Sequence, residues 1–340
     1  MIFIVMSSCI RKPLYLQEDV ALKVNVEINA DIDALWDVNW RDTLKYDWNE
    51  DELGRIGYAI PENGNVVVFN EGSIVFETGI KVSKRQLIDI DLNKTYDILI
   101  YTKELFWIDT YYDAGKYYVE TPSQDTKADE FDTVEQPGEI LAASKMNLYL
   151  SDDRTDFEEV YEDGKLVYVY NIDEKLTPAS YIYIVQFIII NDDGSDIIEA
   201  KDITNFTING VSSKKDLLKN EPVRTERKQI ETFDIKPGQH HKDSLIFASR
   251  VTILDLLPDD GESSWSSKLD YMCFTDIDID TYNYGMVSGT KDITDQLRRN
   301  PKGGIITVRI LNSELKKSGE TGTGFGLDLN DWKEHEYDVL

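Results

Sequence analysis

Between residues 20 and 29, Val20, Leu22, Val24, Val26 and Ile28 alternate with Ala21, Lys23, Asn25, Glu27 and Asn29. Successive side chains of an extended chain point to opposite faces, so a period of two specifies a strand with one buried and one wet face. The same signature predicts strands at 66–69, 74–77, 87–92, 96–101, 146–150 and 166–170, with turn signals at Asn63-Gly64, Glu71-Gly72 and Asn93-Lys94. Short strands at this spacing suit an antiparallel sandwich. Residues 121–138 are polar and acidic, carry Pro122 and Pro137, and read as a long loop.

Residues 181–190 differ. They are apolar at both alternating sets of positions, interrupted only by Gln186. Such a strand needs cover on both sides, which makes it central in a second sandwich or places it at an interface between domains. Further strands are expected at 197–199, 206–208, 245–254, 305–311 and 325–329. Short helices are expected near 213–218 and 292–299, the second stopped by Asn300-Pro301. Nothing alternates strand with long helix as a parallel sheet requires. The expected fold is therefore all-β: two tandem antiparallel β-sandwich domains with a few short helices. Residues 1–18 read as a signal remnant and tether, 19–172 as the first domain and 173–340 as the second.

Charge excludes some partners. Asp plus Glu outnumber Lys plus Arg by 64 to 36, and a net charge of −28 repels phosphate backbones. No nucleic acid partner is expected. No segment reaches the roughly 18 consecutive apolar residues of a spanning helix.

The two cysteines have different surroundings. Cys9 follows the apolar run 1–6 and the small residues Ser7 and Ser8, the pattern of a bacterial lipoprotein signal in which the thiol is acylated. The run is shorter than the roughly 7 to 15 residues of a complete apolar region, so the translation start is expected upstream. A frayed terminus with a chance cysteine is the alternative. With Cys9 acylated, Cys273 has no disulfide partner. Among Tyr271, Met272 and Phe274 it reads as a small buried hydrophobe.

Several of these stretches together resemble a known family. Residues 6–9, the segment Arg11-Lys12-Pro13-Leu14-Tyr15, the strand at 20–28 and Trp36-Asp37-Val38-Asn39-Trp40-Arg41-Asp42 are similar to fimbrillin-like surface lipoproteins of Bacteroides-type bacteria. Leu176-Thr177-Pro178 leading into 181–190, residues 205–211, and the ending Gly326-Leu327-Asp328-Leu329-Asn330-Asp331-Trp332 agree. The resemblance implies two β-sandwich domains, an outer-membrane or cell-surface address reached through an N-terminal lipid, and fimbrial subunits as partners. It supplies no catalytic residues.

The residues themselves offer little reaction chemistry. Asp276, Asp278 and Asp280 place carboxylates at alternate positions, which suits a calcium ion or a solvated strand face, but Thr281 stands where an EF-hand loop has glycine. Asp89 and Asp91 show the same spacing. Asn191-Asp192-Asp193-Gly194 reads as a hairpin connection. His240-His241 and His335 lack a zinc-ligand spacing. No nucleophile elbow, phosphate-cradling glycine loop or Cys-x-x-Cys is present, so neither an enzyme nor a cofactor is expected. Trp36, Trp40 and Trp107, with Trp48, Phe106, Tyr111, Tyr112, Tyr117 and Tyr118, form either a stacking platform for surface glycans or core packing. The sequence thus points to a surface lipoprotein with a structural or adhesive role, a fimbria-associated anchor or adhesin. A glycan-binding lipoprotein is the alternative.

Overall fold

The computed structural model describes residues 22–29, 44–46, 48, 53 and 57–315, the last range without 83–85, 89, 103–107, 125–130, 163, 196–199, 225–226, 242, 258–265 and 279–282. The fold is all-β, and antiparallel pairing dominates its sheets. The expected strands at 197–199 and 325–329 lie outside the described residues.

One compact unit draws on Met1–Asp31, Pro61–Lys103 and Ala142–Thr177. Its larger sheet contains Leu141–Leu150, Lys94–Thr102, Asn63–Asn70 and Ser73–Lys81 in that spatial order. Asn63–Asn70 has a partner strand on each side, and its Val66, Val67 and Val68 are fully buried, so both faces of the sheet are covered there. Asn63-Gly64, expected as a turn, lies inside this strand; ladder hydrogen bonds on both sides override the local turn preference. Glu71 and Gly72, with φ of 48° and 72°, make the expected hairpin turn in the left-handed geometry that matches strand twist. In the smaller sheet the strand Leu22–Asn29 is enclosed: it runs parallel to Lys165–Lys175, Leu22 opposite Tyr168, and antiparallel to Gln86–Ile88, Val24 opposite Ile88.

The second unit draws on Ile32–Ile60, Glu104–Leu141 and Pro178–Leu340. Residues 104–141, placed by the sequence reading in the first domain, supply it with strands. Lys116–Glu120 pairs with Lys214–Asp216, and Asp132–Val134 runs parallel to Lys228–Thr232. The units are therefore interleaved along the chain. Partner choice between strands about a hundred residues apart leaves no local composition signal, whereas strand formation does. For the same reason Asp132–Val134 is a strand inside the stretch expected to be a loop.

Two other expectations are corrected. Residues 213–218 hold the strand Lys214–Asp216 and a turn, not a helix. One helical turn is too short to nucleate against a ladder already offered by Lys116–Glu120. Asn191-Asp192-Asp193-Gly194 is no hairpin: it leads from Tyr181–Ile190 to Ala200–Ser212 in the facing sheet, since both neighbours of Tyr181–Ile190 come from elsewhere in the chain. The second expected helix forms at Thr294–Arg299, where Asp292 Oδ1 accepts the Thr294 N–H at 2.9 Å.

Two sheets of this unit share one core. The four-stranded sheet runs Lys236–His241, Ser244–Ile253, Tyr181–Ile190, Gly304–Leu311. The facing sheet runs Asn283–Asp292, Lys268–Asp278, Ala200–Ser212, Lys228–Thr232, Asp132–Val134. Tyr183, Val185, Phe187 and Ile189 meet Ile203, Phe206, Ile208 and Leu269 in one apolar cluster, with the Phe187 and Phe206 rings edge to face at 5.2 Å. The other face of Tyr181–Ile190 is also covered. Ile182, Ile184 and Gln186 are fully buried. Tyr58 donates to Ser180 O at 2.8 Å, and Lys45 N–H donates to Gln186 Oε1 at 3.1 Å. Trp48 is buried against Gly238, where an added Cβ would stand 2.7 Å from the indole.

Candidate functional site

A sheet can take up an added strand only at an edge whose backbone groups are unpaired. Tyr181–Ile190 takes its parallel neighbour from its own chain, Gly304–Leu311, with Tyr183 opposite Gly304 and Ile190 opposite Leu311. Gly303 leads into that strand at φ 98°, and a Cβ there would lie 2.6 Å from Ile182 O, so a glycine is required. Gly304–Leu311 ends the sheet, and Gln296 meets its outer edge at Thr307. Thr307 N–H donates to Gln296 Oε1 at 2.8 Å, and Gln296 Nε2 donates to Thr307 O at 3.0 Å. The amide thus makes the two bonds that a residue of an incoming strand would make. From the other side Gln186 Nε2 donates to Thr307 Oγ1 at 2.7 Å.

A buried ion pair fixes the start of the central strand. Lys215 has no exposed surface, and its Nζ lies 2.8 Å from Asp255 Oδ2, 2.9 Å from Ala179 O and 3.1 Å from the Tyr181 hydroxyl. An ammonium has three donors, and these acceptors use all three. Burial pushes the lysine below its ordinary range and the aspartate above its own, each partly opposed by the other's charge. With its ammonium enclosed and fully bonded, Lys215 is a brace between Lys214–Asp216 and Tyr181–Ile190.

The facing sheet offers an outer polar face. Along Ala200–Ser212, Phe206 and Ile208 enter the core while Asn205, Thr207 and Asn209 point away, as the period of two dictates. With Gln229, Glu231, Lys268, Asp270, Ser288 and Thr290 they line a cavity of 510 Å³, beside Met272 and Phe131. Asn205 Nδ2 donates to Glu231 Oε1 at 2.9 Å, Gln229 Nε2 donates to Thr133 Oγ1 at 3.0 Å, and the Arg227 guanidinium sits 5.5 Å from the Phe131 ring centre. Amides, carboxylates and hydroxyls beside two apolar platforms form a surface that hydroxyl-rich ligands can satisfy.

The sites expected from the sequence fall as follows. Cys9, Trp36, Trp40 and Trp107 lie outside the described residues, as do Asp280 and His335. Asp276 and Asp278 belong to Lys268–Asp278, whose ladder shifts register between Phe274 and Ile277; their side chains are outside the described set. Trp48, Tyr117 and Tyr118 are buried. Tyr111 donates to Glu120 Oε2 at 2.7 Å, and Lys214 Nζ sits 4.1 Å from the Tyr118 ring centre and 4.8 Å from that of Tyr111. These aromatics therefore pack or pair. Cys273 is fully buried, and burial pushes its thiol up to about 12. His241 is exposed with Asp243 at 3.5 Å. Among the described residues no three His, Cys, Asp or Glu side chains are placed to hold a metal ion. Sequence reasoning missed Gln296, Lys215 and the polar face. The alternation of Asn205, Thr207 and Asn209 was a signal for the face; Gln296 carried none.

No family model matches the sequence, and no curated protein matches it. Solved structures do. A candidate adhesin from Bacteroides ovatus has a TM-score of 0.48 at 12% identity, over 86% of this chain and 92% of that one. A candidate polysaccharide-binding protein from Bacteroides thetaiotaomicron has a TM-score of 0.47 at 8% identity, over 85% and 90%. The fimbrial anchor protein Mfa2 from Porphyromonas gingivalis has a TM-score of 0.46 at 10% identity, over 85% and 90%.

Proposed function

We propose that this protein is a cell-surface lipoprotein, tethered through Cys9 to the outer membrane, that serves as an intact anchor or adhesin of fimbria-like assemblies and not as a polymerising subunit. One observation carries the reading: among the described residues, two strands placed to exchange are already paired within the chain. Leu22–Asn29 pairs along its length with Lys165–Lys175 and over Val24 to Val26 with Gln86–Ile88, and the strand beside Tyr181–Ile190 is the chain's own, its outer edge met by Gln296 at Thr307. Strand addition needs an unpaired edge, because main-chain hydrogen bonds supply much of its affinity.

Size-exclusion chromatography of the chain, with and without a trypsin-like protease, tests this. The expected result is one species of unchanged size. Ladders of oligomers that vanish on deletion of residues 325–340, whose alternation at Phe325, Leu327 and Leu329 makes them the second candidate for strand exchange beside residues 20–28, would overturn the reading. A second reading, glycan binding, is favoured by the polar face at Asn205, Glu231 and Asp270 with Phe131 beside it. The two are compatible, since an adhesin needs a ligand.

A further inference from the structure

We propose that the groove between the helix Thr294–Arg299 and the outer face of Gly304–Leu311 binds a carboxylate-bearing saccharide, a uronic acid unit. The groove has a volume of 610 Å³ and, in a chain of net charge −28, none of its described lining residues is acidic. It gathers Lys45, Arg299 and Arg309 instead. Some other cations of the chain sit in ion pairs, such as Lys215 with Asp255 and Arg250 with Glu139. Among the described residues these three have no carboxylate within ion-pair distance. Three cations gathered in one groove with no described carboxylate at ion-pair distance form a local anion site.

The floor favours a sugar over a bare anion or an acidic peptide. Gln186 is fully buried and held at both ends of its amide, by Lys45 N–H and Thr307 Oγ1, so the floor is rigid. Arg299 Nε donates to Asp295 O at 3.1 Å, which steadies its side chain for a charge-assisted bond from its terminal nitrogens. Thr307 and Asn300 add oxygens that accept from ring hydroxyls, and Ile305 gives a small apolar patch for a sugar's C–H face. A uronate offers all three complements at once: one carboxylate, several hydroxyls and a C–H face. The site stands apart from the polar face of the other sheet and does not depend on the fimbrial reading.

Calorimetric titration of the full chain with trigalacturonate, neutral trigalactose, a triglutamate peptide and inorganic phosphate tests it. Trigalacturonate should bind, and bind more tightly than the other three. Combined Arg299→Ala and Arg309→Ala should weaken it by at least about tenfold, as loss of hydrogen bonds to a charged group does. Lys45→Ala, in a different segment, should weaken it by a smaller factor. All three side chains are exposed, so the melting temperatures should not move. No binding of trigalacturonate, equal binding of any of the other three, or unchanged affinity in the double variant would overturn the proposal.

Discussion

The two facing sheets of the second unit share an interior but treat their outer faces in opposite ways. Tyr181–Ile190 is buried along both faces, covered at Ile182 by Tyr58 and at Gln186 by Lys45. Ala200–Ser212 buries Phe206 and Ile208 and turns Asn205 and Thr207 outward. A strand covered on both faces has no surface left for recognition except where its sheet ends. A strand with one wet face can change its outward residues without disturbing the core. The first sheet is therefore the structural element of the unit, with chemistry only at its rim, and the second is the element that can present a ligand-binding face.

The largest expected effect comes from putting charge into the doubly buried strand. Ile184 has no exposed surface, and Ile184→Asp would bury a carboxylate without a partner, at a cost of roughly 4–5 kcal/mol. Denaturant unfolding of this variant should show a chain barely folded or unfolded. The matched change on the other sheet, Thr207→Asp at a half-buried outward position, should cost far less. Comparable losses in the two variants would erase the contrast between the sheets.

A smaller effect is expected at the rim. Gln296→Ala removes both bonds to Thr307 without opening the core, and should destabilise by about 1–2 kcal/mol, slightly offset by the better helix propensity of alanine. It should also leave the Gly304–Leu311 edge able to accept a strand, so light scattering at high concentration should show some dimer. A variant that is as stable and as monomeric as the wild type would mean that Gln296 does not close the edge.

The same contrast shows what was legible in the sequence. Tyr181–Ile190 was readable as a strand with cover on both faces, since an apolar run with no wet face has no other stable placement. The hairpin at Glu71-Gly72 was readable because the turn lies between adjacent strands. What covers and flanks the central strand was not: Tyr58, Lys45 and Gly304–Leu311 reach it across more than a hundred residues. Lys215 has the composition of a surface lysine, and only Asp255, Ala179 and Tyr181 converging on it account for its burial. Its segment was misread as a helix for the same reason. The groove of Lys45, Arg299 and Arg309 is likewise a product of folding, assembled from three separate stretches of chain.

The central claim is that Gly304–Leu311 is an integral strand and not a placeholder that an incoming strand displaces. Native-state hydrogen exchange measures this directly, since an amide in the ladder exchanges only when its segment opens. The account predicts that the Ile306 and Val308 amides exchange as slowly as those of Phe187 and Ile189 on the central strand beside them. Fast exchange throughout Gly304–Leu311, with Tyr181–Ile190 still protected, would contradict it.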